Sequence, residues 1–118
     1  MGTVTALFIG LGSIGTRHLK NLHAICEKQG LTLCAHALRS DLNRPLRPGV
    51  AELLAAQFTT LEDQAALPRY DMAFITNPTS LHAAALELVR GRAEALFIEK
   101  PLFSAEETGR NLSDLLPA

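Results

Sequence analysis

The sequence of 118 residues has no tryptophan, one tyrosine, two cysteines and almost no excess of charge, with a formal net charge of −1. Such a balance gives no electrostatic footprint for nucleic acid or for an anionic membrane surface. No stretch approaches the about 20 consecutive apolar residues of a membrane-spanning helix. The N-terminus lacks the basic segment that opens a secretory signal. We therefore expect a cytoplasmic protein without nucleic-acid or membrane partners.

The two cysteines indicate neither a disulfide nor a metal site. Cys26 falls in a predicted helix and Cys34 in a predicted strand, so both are interpreted as small apolar side chains of the core. His36, in the same strand, has no second ligand at metal spacing and is interpreted as a hydrogen-bonded histidine of the sheet. The length, together with an apolar fraction of 47%, is typical of one α/β domain with a substantial core.

A glycine-rich loop near the N-terminus carries the strongest functional signal. The apolar, β-branched run Thr3–Ile9 predicts a strand buried on both faces, and it leads directly into the G-x-G-x-x-G pattern of residues 10–15. A strand, a glycine loop and a helix in this order are the context of dinucleotide binding, although glycines also form purely structural turns. The helix is predicted at Ser13–Gln29, ends at Gly30, and has an apolar stripe of Leu19, Leu22, Ile25 and Cys26.

Each glycine of the loop has its own expected role. Gly10 permits the tight turn after the strand, Gly12 lets the backbone approach a pyrophosphate, and Gly15 lets the helix lie close to the strand. The unpaired N–H groups of the first turn, where Ser13 and Ile14 stand, and the positive end of the helix dipole then face the phosphates. The loop therefore predicts a nucleotide site.

The rest of the chain alternates strands with helices. Further strands are predicted at residues 31–38, 58–60, 70–76 and 93–98, and further helices at residues 50–57, at 61–67 as one or two turns, and at 105–116 after the capping residue Ser104. This alternation predicts an α/β fold in which a doubly wound parallel sheet is covered by helices on both faces.

One more helix has the clearest amphipathic pattern of the chain. Thr79 or Ser80 is predicted to cap it, and Gly91 to end it. Its predicted apolar stripe consists of Leu81, Ala84, Ala85, Leu88 and Val89.

The end of the second strand indicates which dinucleotide is bound. An NAD site places an acidic residue there to hold the 2′-hydroxyl of the adenosine ribose, whereas this chain has Arg39 and Ser40. A guanidinium pairs with a 2′-phosphate and a hydroxyl donates to it, so the sequence favours NADP. The alternatives are a solvated charged loop, and NAD binding through Asp41 if the strand ends two residues later.

Four segments with polar or glycine-rich sequences follow predicted strands, at residues 10–15, 39–44, 76–82 and 99–101. In an open α/β sheet, ligands bind beyond the carboxyl ends of the strands, so we expect these segments to meet at one site. Asn77 and Thr79 either offer amide and hydroxyl groups to a ribose or phosphate, or form a turn and a helix cap. His82 either faces the cofactor or packs, and packing is favoured.

Residues 99–101, Glu-Lys-Pro, combine a charged pair with a proline at a strand end. Partial burial of Lys100 would lower its pKa toward the range useful for proton transfer, while Glu99 would oppose that shift or hydrogen-bond a ribose hydroxyl. An exposed ion pair at the strand end is the alternative interpretation.

Three motifs together resemble a known family. Residues 10–18, residues 76–82 and the Glu-Lys-Pro-Leu of residues 99–102 are similar to the N-terminal domain of the glucose–fructose oxidoreductase / inositol dehydrogenase / rhizopine-catabolism (Gfo/Idh/MocA) family, over essentially the whole chain. The resemblance implies a Rossmann-type fold and an NADP- or NAD-dependent oxidoreductase that acts on the CH–OH group of a sugar, cyclitol or related polyol.

The resemblance also implies roles for individual residues. It places Lys100 beside the nicotinamide as the catalytic residue that contacts the reacting hydroxyl, and Glu99 near the nicotinamide ribose. It places the stretch Thr76-Asn77-Pro78 along the cofactor. The predicted cofactor-binding residues are therefore Gly10, Gly12, Ser13, Ile14, Gly15, Arg39, Ser40, Thr76, Asn77, Pro78, His82, Glu99 and Lys100.

Members of this family carry a second α/β domain, which supplies most of the substrate pocket and the oligomer interface. The chain ends where that domain would begin, so we expect a cofactor-binding domain that is inactive alone and belongs to a longer, homo-oligomeric enzyme. A free-standing dinucleotide-binding or sensing module is the alternative. A methyltransferase-like domain is less favoured, because the Glu-Lys-Pro motif has no role there.

Overall fold

The computed structural model describes residues 2–76 and 82–98. Its sheet consists of the strands β1 (Thr3–Ile9), β2 (Thr32–Leu38), β3 (Leu54–Phe58), β4 (Tyr70–Ile75) and β5 (Ala93–Ile98). The helices are α1 (Ser13–Gln29) and α2 (His82–Val89), and a short 3₁₀ helix covers Ala51–Leu53. Within the described ranges, no helix combines the length and the apolarity that a membrane crossing needs.

The five strands form one parallel sheet with the spatial order β3-β2-β1-β4-β5. From β1 the chain moves outward through β2 to β3, and then returns to the other side of β1 for β4 and β5. The direction of winding therefore reverses between β1 and β4, where ligands of doubly wound sheets bind. The predicted α/β fold class is confirmed.

The carboxyl ends of the strands line up across the sheet. Ile9 at the end of β1 pairs with Leu38 on one side and with Ile75 on the other. Leu38 pairs further with Phe58, and Ile75 with Ile98. The segments that follow β1, β2, β4 and β5 in the sequence thus start from one edge of the sheet.

The second half of strand β1 is buried on both faces of the sheet, to which its consecutive residues point in turn. Ala6 and Phe8 of β1 belong to the core under α1, with Leu19 of that helix. Leu7 and Ile9 belong to the core on the other face, with α2. This two-sided burial explains why β1 is a continuous apolar run rather than an alternating one.

Helix α1 begins and ends as predicted, but its apolar stripe differs at one position. Gly30 adopts a left-handed conformation (φ 70°), and its N–H bonds to the carbonyls of Cys26 and Glu27. Leu19 and Cys26 are buried, whereas Ile25 is 56% exposed. The prediction for Ile25 is wrong because six residues along a helix correspond to a rotation of about 240°, which takes the side chain off the stripe.

The segment predicted as a helix at residues 50–57 contains only the 3₁₀ turn Ala51–Leu53, and strand β3 begins at Leu54. Exposed residues of β3 alternate with residues that are buried or half-buried. The strand pairs with β2, and the register of this pairing shifts between Ala35 and His36. The Leu-Ala-Ala-Gln sequence favours a helix locally, but the ladder to β2 overrides that preference. The predicted strand at 58–60 is correspondingly misplaced.

Residues 61–67 form successive turns instead of the predicted helical turns. The N–H of Asp63 donates to the carbonyl of Thr60 at 3.2 Å, and the N–H of Ala66 donates to the carbonyl of Asp63 at 3.0 Å. The carboxylate of Asp63 accepts from the N–H of Ala65 at 2.8 Å. Such a side-chain bond to the local backbone competes with a continuing helix.

The buried face of helix α2 agrees with the predicted apolar stripe at Ala85 and Val89 but not at two other positions. Its buried residues are Ala83, Ala85, Leu86 and Val89. Ala84 is exposed and Leu88 is 50% exposed, so the predicted stripe is wrong at both positions. Gly91, at φ 77°, follows the end of the helix as predicted. The predicted caps Thr79 and Ser80, Leu81, and the predicted helix at 105–116 lie outside the described residues.

Candidate functional site

The glycine loop connects the end of β1 to the first turn of α1. Gly10 has a φ of 92°, a conformation that favours glycine, and it turns the chain out of the sheet. Helix α1 starts within three residues, and its first backbone bond runs from the N–H of Thr16 to the carbonyl of Gly12 at 2.9 Å. The hydroxyl of Thr16 donates back to the carbonyl of Leu11 at 3.3 Å. The loop is thus a short, internally bonded turn.

Gly15 is the position where α1 comes closest to the sheet. A Cβ atom at Gly15 would overlap the carbonyl oxygen of Gly10 and would lie 2.6 Å from the Oγ1 of Thr76. The carbonyl belongs to the backbone and cannot swing aside like the end of a flexible side chain. The absence of a side chain at Gly15 is therefore what allows the helix to pack here.

The N-terminus of α1 is open. Gly12 is the N-cap residue; no side chain of the described residues caps the helix, and its first turn contains no acidic residue. A Cβ atom at Gly12 would meet no other described atom within 4 Å, and Ser13 and Ile14 are exposed. The N–H groups before Thr16 therefore remain available to an anion, which is the arrangement that phosphate binding at a helix N-terminus requires.

Thr76 links the end of β4 to this loop. Its hydroxyl donates to the carbonyl of Gly10 at 2.8 Å, and its N–H donates to the carbonyl of Ile9 at 3.0 Å. These two bonds fix the turn at Gly10 from the neighbouring strand. Thr76 thus contacts the glycine loop directly, beside the point at which the sheet reverses direction.

The segment after β2 is built around Arg39. The guanidinium of Arg39 donates through Nη1 to the Oε1 of Gln57 on β3 at 2.9 Å, and through Nη2 to the carbonyl of Arg44. The carboxylate of Asp41 accepts from the N–H of Asn43 at 2.9 Å. This loop is therefore folded on itself and attached to the edge strand.

An open cleft of about 360 Å³ lies along the same segment. Three arginines line it, together with Gln57, Glu52 and neutral residues of the loop; the arginines are Arg39, Arg44 and Arg47. Lys20 of α1 approaches the segment as well, since a Cβ atom at Gly49 would lie 3.7 Å from its Nζ. Cationic side chains thus gather beside the predicted position of the adenosine ribose.

A second polar cluster, around His36, lies inside the core. The Nδ1 of His36 is 2.8 Å from the hydroxyl of Tyr70, which accepts from the N–H of Leu67 at 3.0 Å. The Nε2 of His36 lies 3.5 Å from the Sγ of Cys34, and the ring nitrogen that carries the proton sets the direction of these two side-chain bonds. The prediction of a hydrogen-bonded sheet histidine is confirmed.

Burial shifts the pKa values of the two titratable rings in this cluster, His36 and Tyr70. Burial lowers the pKa of His36 and raises the pKa of Tyr70, because the charged form of each loses its solvation. Outside this cluster, burial also raises the pKa of the Cys26 thiol on helix α1. Cys26 and Cys34 are both free thiols, one buried and the other half-buried. The cluster is a structural network of the core and is not part of the cofactor edge.

Some of the predicted site residues are brought to one edge of the sheet. Gly10, Gly12, Ser13, Ile14 and Gly15 lie in one turn, Thr76 is bonded to it, and Arg39 and Ser40 follow the adjacent strand β2. His82 is the first residue of α2. Asn77, Pro78, Glu99 and Lys100 lie outside the described residues.

Sequence reasoning did not single out Arg47, and it named Arg44 only as the end of a loop. A signal was present in the sequence, because three arginines fall within residues 39–47. Their common surface depends on the fold of the loop and on its attachment to β3, which residue spacing does not reveal.

The doubly wound parallel sheet, with a glycine loop between β1 and α1, defines a Rossmann-type domain. The model of an oxidoreductase family with an NAD-binding Rossmann fold (GFO_IDH_MocA) matches residues 4–117, and the chain belongs to this family. Comparisons with curated proteins and with solved structures gave no match. The chain is thus an oxidoreductase domain for a nicotinamide cofactor, in agreement with the resemblance seen in the sequence.

The residues present fit such a cofactor. Gly12 leaves open space in front of uncapped N–H groups, and Gly15 holds the helix against the sheet without a side chain. A pyrophosphate carries the negative charge that these groups and the helix dipole favour.

Proposed function

We propose that this domain binds NADP in preference to NAD, and that it serves an oxidoreductase acting on the CH–OH group of a sugar, cyclitol or related polyol. The observation that carries the NADP preference is the loop after β2, where three arginine side chains line the surface and the carboxylate of Asp41 accepts from the N–H of Asn43 within the loop. The substrate class rests on the family to which the chain belongs.

The Asp41 carboxylate is the group that would otherwise favour NAD. Its Oδ1 accepts from the N–H of Asn43, and its carbonyl accepts from the N–H of Arg44 at 3.4 Å. Asp41 thus stabilises a turn two residues beyond Arg39, instead of extending from the end of β2 as the ribose-binding carboxylate of an NAD site does. This geometry supports the NADP interpretation.

The binding roles follow from the glycine loop. The N–H groups of Ser13, Ile14 and Gly15 donate to the pyrophosphate at the start of α1, and Gly12 lets the phosphates approach the backbone. Thr76 holds the loop through the carbonyl of Gly10. The hydroxyl of Ser40 is placed after β2, where it donates to the ribose or its phosphate.

The chemistry is assigned through the Glu-Lys-Pro motif. The bound nicotinamide supplies or accepts a hydride at its C4 atom. The amine of Lys100 contacts the substrate hydroxyl and moves or stabilises its proton, while Glu99 binds the nicotinamide ribose. Asn77 and Pro78 line the cofactor, with His82 at the start of α2. These roles rest on the similarity of residues 76–82 and 99–102 to the family's motifs.

The activity belongs in this proposal to a longer protein. A second domain completes the substrate pocket and forms a homo-oligomer in the cytoplasm, and the 118 residues alone bind cofactor without turnover. A free-standing sensor would bind the same cofactor, so the two differ in whether a substrate domain follows in the natural gene.

The experiment is a calorimetric titration of the chain with NADPH and with NADH, under the same buffer and salt. We expect binding of both and a lower dissociation constant for NADPH. Equal affinities, or tighter binding of NADH, would contradict the NADP preference and leave the nicotinamide site intact. A folded protein that binds neither would contradict the cofactor site itself.

A further inference from the structure

The loop after β2 contains three arginines whose side chains have different surroundings. Arg39 has both terminal nitrogens engaged within the protein, one with Gln57 and the other with the carbonyl of Arg44. The backbone N–H of Arg39 donates to the carbonyl of Phe58 at 3.0 Å, and this bond also attaches the start of the loop to β3. Two of the five N–H donors of the Arg39 guanidinium are thus bonded within the protein, and they hold this side chain between β3 and the loop.

Arg44 and Arg47 are exposed and line the cleft of about 360 Å³. Among the described residues, the ion pairs are His23 with Glu27 and Arg69 with Glu94, and neither includes a cation of the cleft. The bond from Arg39 ends on the backbone carbonyl of Arg44 and leaves the guanidinium of Arg44 unused. These two guanidinium groups are placed to bind an anion.

The charge of the surrounding surface favours a multiply charged anion. The cationic side chains along the segment are Lys20, Arg39, Arg44 and Arg47. The acidic ones are Glu52, which lines the cleft, and Asp41, whose carboxylate accepts from the N–H of Asn43. This surplus of positive charge contrasts with the net charge of −1 of the whole chain.

The position of the cleft links it to the glycine loop. Ile9 and Leu38 are paired neighbours, so Gly10 and Arg39 leave the sheet side by side at the same edge. A dinucleotide with its pyrophosphate at the start of α1 places its adenosine ribose beyond the end of β2. The cleft reaches this edge at Arg39 and Gln57, and the bond from Arg39 to the carbonyl of Arg44 ties the arginine segment to it.

We infer that Arg44 and Arg47 bind the 2′-phosphate of NADP, and that Arg39 is a positioning residue that holds their loop against β3. This inference rests on the proposed NADP binding and assigns the phosphate specificity to named side chains. Two guanidinium groups match a phosphate dianion because each offers paired N–H donors in a planar fork.

The test measures binding of NADPH, NADH and adenosine 2′,5′-bisphosphate to the 118-residue chain and to single variants. Arg44→Gln and Arg47→Gln should each weaken NADPH and the bisphosphate by about tenfold or more, the effect of one charge-assisted hydrogen bond. NADH binding should stay within about twofold, since NADH has no 2′-phosphate. Arg90→Gln is the matched control, because it removes one exposed positive charge after α2, away from the cleft.

Arg39→Lys separates positioning from charge. Lysine keeps the positive charge but cannot bridge Gln57 and the carbonyl of Arg44 at once. We expect Arg39→Lys to lose most of the NADPH preference, as Arg44→Gln and Arg47→Gln should, although its positive charge is kept. Full NADPH affinity in Arg39→Lys would contradict the positioning role.

The outcomes distinguish this inference from the proposed function. If the unaltered chain prefers NADPH while Arg44→Gln and Arg47→Gln bind it like Arg90→Gln, the assignment to these arginines is wrong and the proposed function stands. If the unaltered chain shows no preference for NADPH, or binds neither cofactor, the proposed cofactor specificity fails and the assignment fails with it. A changed circular dichroism spectrum would show that a glutamine variant is misfolded. In that case Arg44→Lys replaces Arg44→Gln, and Arg47→Lys replaces Arg47→Gln, in the same titration.

Discussion

The hydroxyl of Thr76 donates to the carbonyl of Gly10 at 2.8 Å, across the gap between the ends of β4 and β1. The same Oγ1 would lie 2.6 Å from a Cβ atom at Gly15. Thr76 of the neighbouring strand end and Gly15 of the helix are thus both packed against the carbonyl oxygen of Gly10. The glycine loop is shaped by the neighbouring strand as much as by its own sequence.

Gly15→Ala is expected to destabilise the domain. The new methyl group would overlap the carbonyl of Gly10 and the hydroxyl of Thr76, so α1 must shift away from the sheet. Overpacking of this kind costs about 1–3 kcal/mol of unfolding free energy. Urea denaturation followed by circular dichroism measures the change, and calorimetry should show weaker NADPH binding.

Gly12→Ala is the comparison for Gly15→Ala. A Cβ atom at Gly12 meets no described atom within 4 Å, and its φ of −73° suits any residue. We expect a loss of at most about 1 kcal/mol, the preference of the N-cap position for glycine over alanine. NADPH binding should nevertheless fall, because the methyl group occupies the approach to the phosphates. Equal stability of the two variants would contradict the close packing at Gly15.

Thr76→Val tests the bond between the two strand ends. Valine has nearly the same shape as threonine but leaves the carbonyl of Gly10 without its donor, at a cost of about 1 kcal/mol. The affinity for NADPH should fall as the loop loses its fixed position. Thr76→Ser keeps the hydroxyl and should retain most of the stability and affinity of the unaltered chain. If valine and serine behave alike, the hydroxyl does not hold the loop.

The sequence predicts elements well where local and long-range signals agree. Strand β1, helix α1 and strand β5 have the bounds expected from residue patterns alone. In β1 the apolar run matches burial on both faces, and α1 ends at a glycine that adopts the left-handed conformation. The register of the strand ends then follows from parallel pairing, which gathers the predicted site segments at one edge.

The errors arise where the tertiary context decides between local alternatives. Residues 54–57 favour a helix by composition but belong to strand β3, because β2 offers an edge with which they pair. In α2 several alanines make two faces nearly equivalent, and packing selects the face with Leu86 over that with Leu88. The partner of Arg39 on β3, Gln57, is 18 residues away in the sequence, so no local pattern predicts that the guanidinium is bonded to that strand.

The stacked phenylalanine rings on the face of the sheet that α1 covers should contribute unequally to the free energy of unfolding. Phe74 lies between Phe8 and Phe97, with ring centroids 4.6 Å and 4.8 Å apart, and it is 6% exposed. Phe74→Ala should cost about 3–5 kcal/mol, as for a buried aromatic residue. Phe97 is 47% exposed on the edge strand, so Phe97→Ala should cost less than about half of that. Equal losses in urea denaturation would mean that Phe97 is as well covered as Phe74.

His36 makes the stability of the domain depend on pH. Burial lowers its pKa in the folded state below the ordinary value of 6.5, so the unfolded chain binds a proton that the folded chain excludes. The free energy of unfolding is therefore highest above about pH 6.5 and decreases as the pH falls through and below that value, by at most about 1.4 kcal/mol per pH unit for one proton. A protonated His36 donates from both ring nitrogens, so the Tyr70 hydroxyl then has to accept from Nδ1–H.

The measurement is a series of urea denaturations between about pH 8 and pH 5, repeated on His36→Gln and on His23→Gln. Glutamine does not titrate in this range, so His36→Gln should lose stability at high pH but show a flatter pH profile. His23 is half-exposed and pairs with Glu27 on the surface of α1, which makes His23→Gln the control that keeps the steep profile. A profile as steep in His36→Gln as in the unaltered chain would assign the pH dependence to other groups, because only a group that changes its proton binding on folding contributes to the slope.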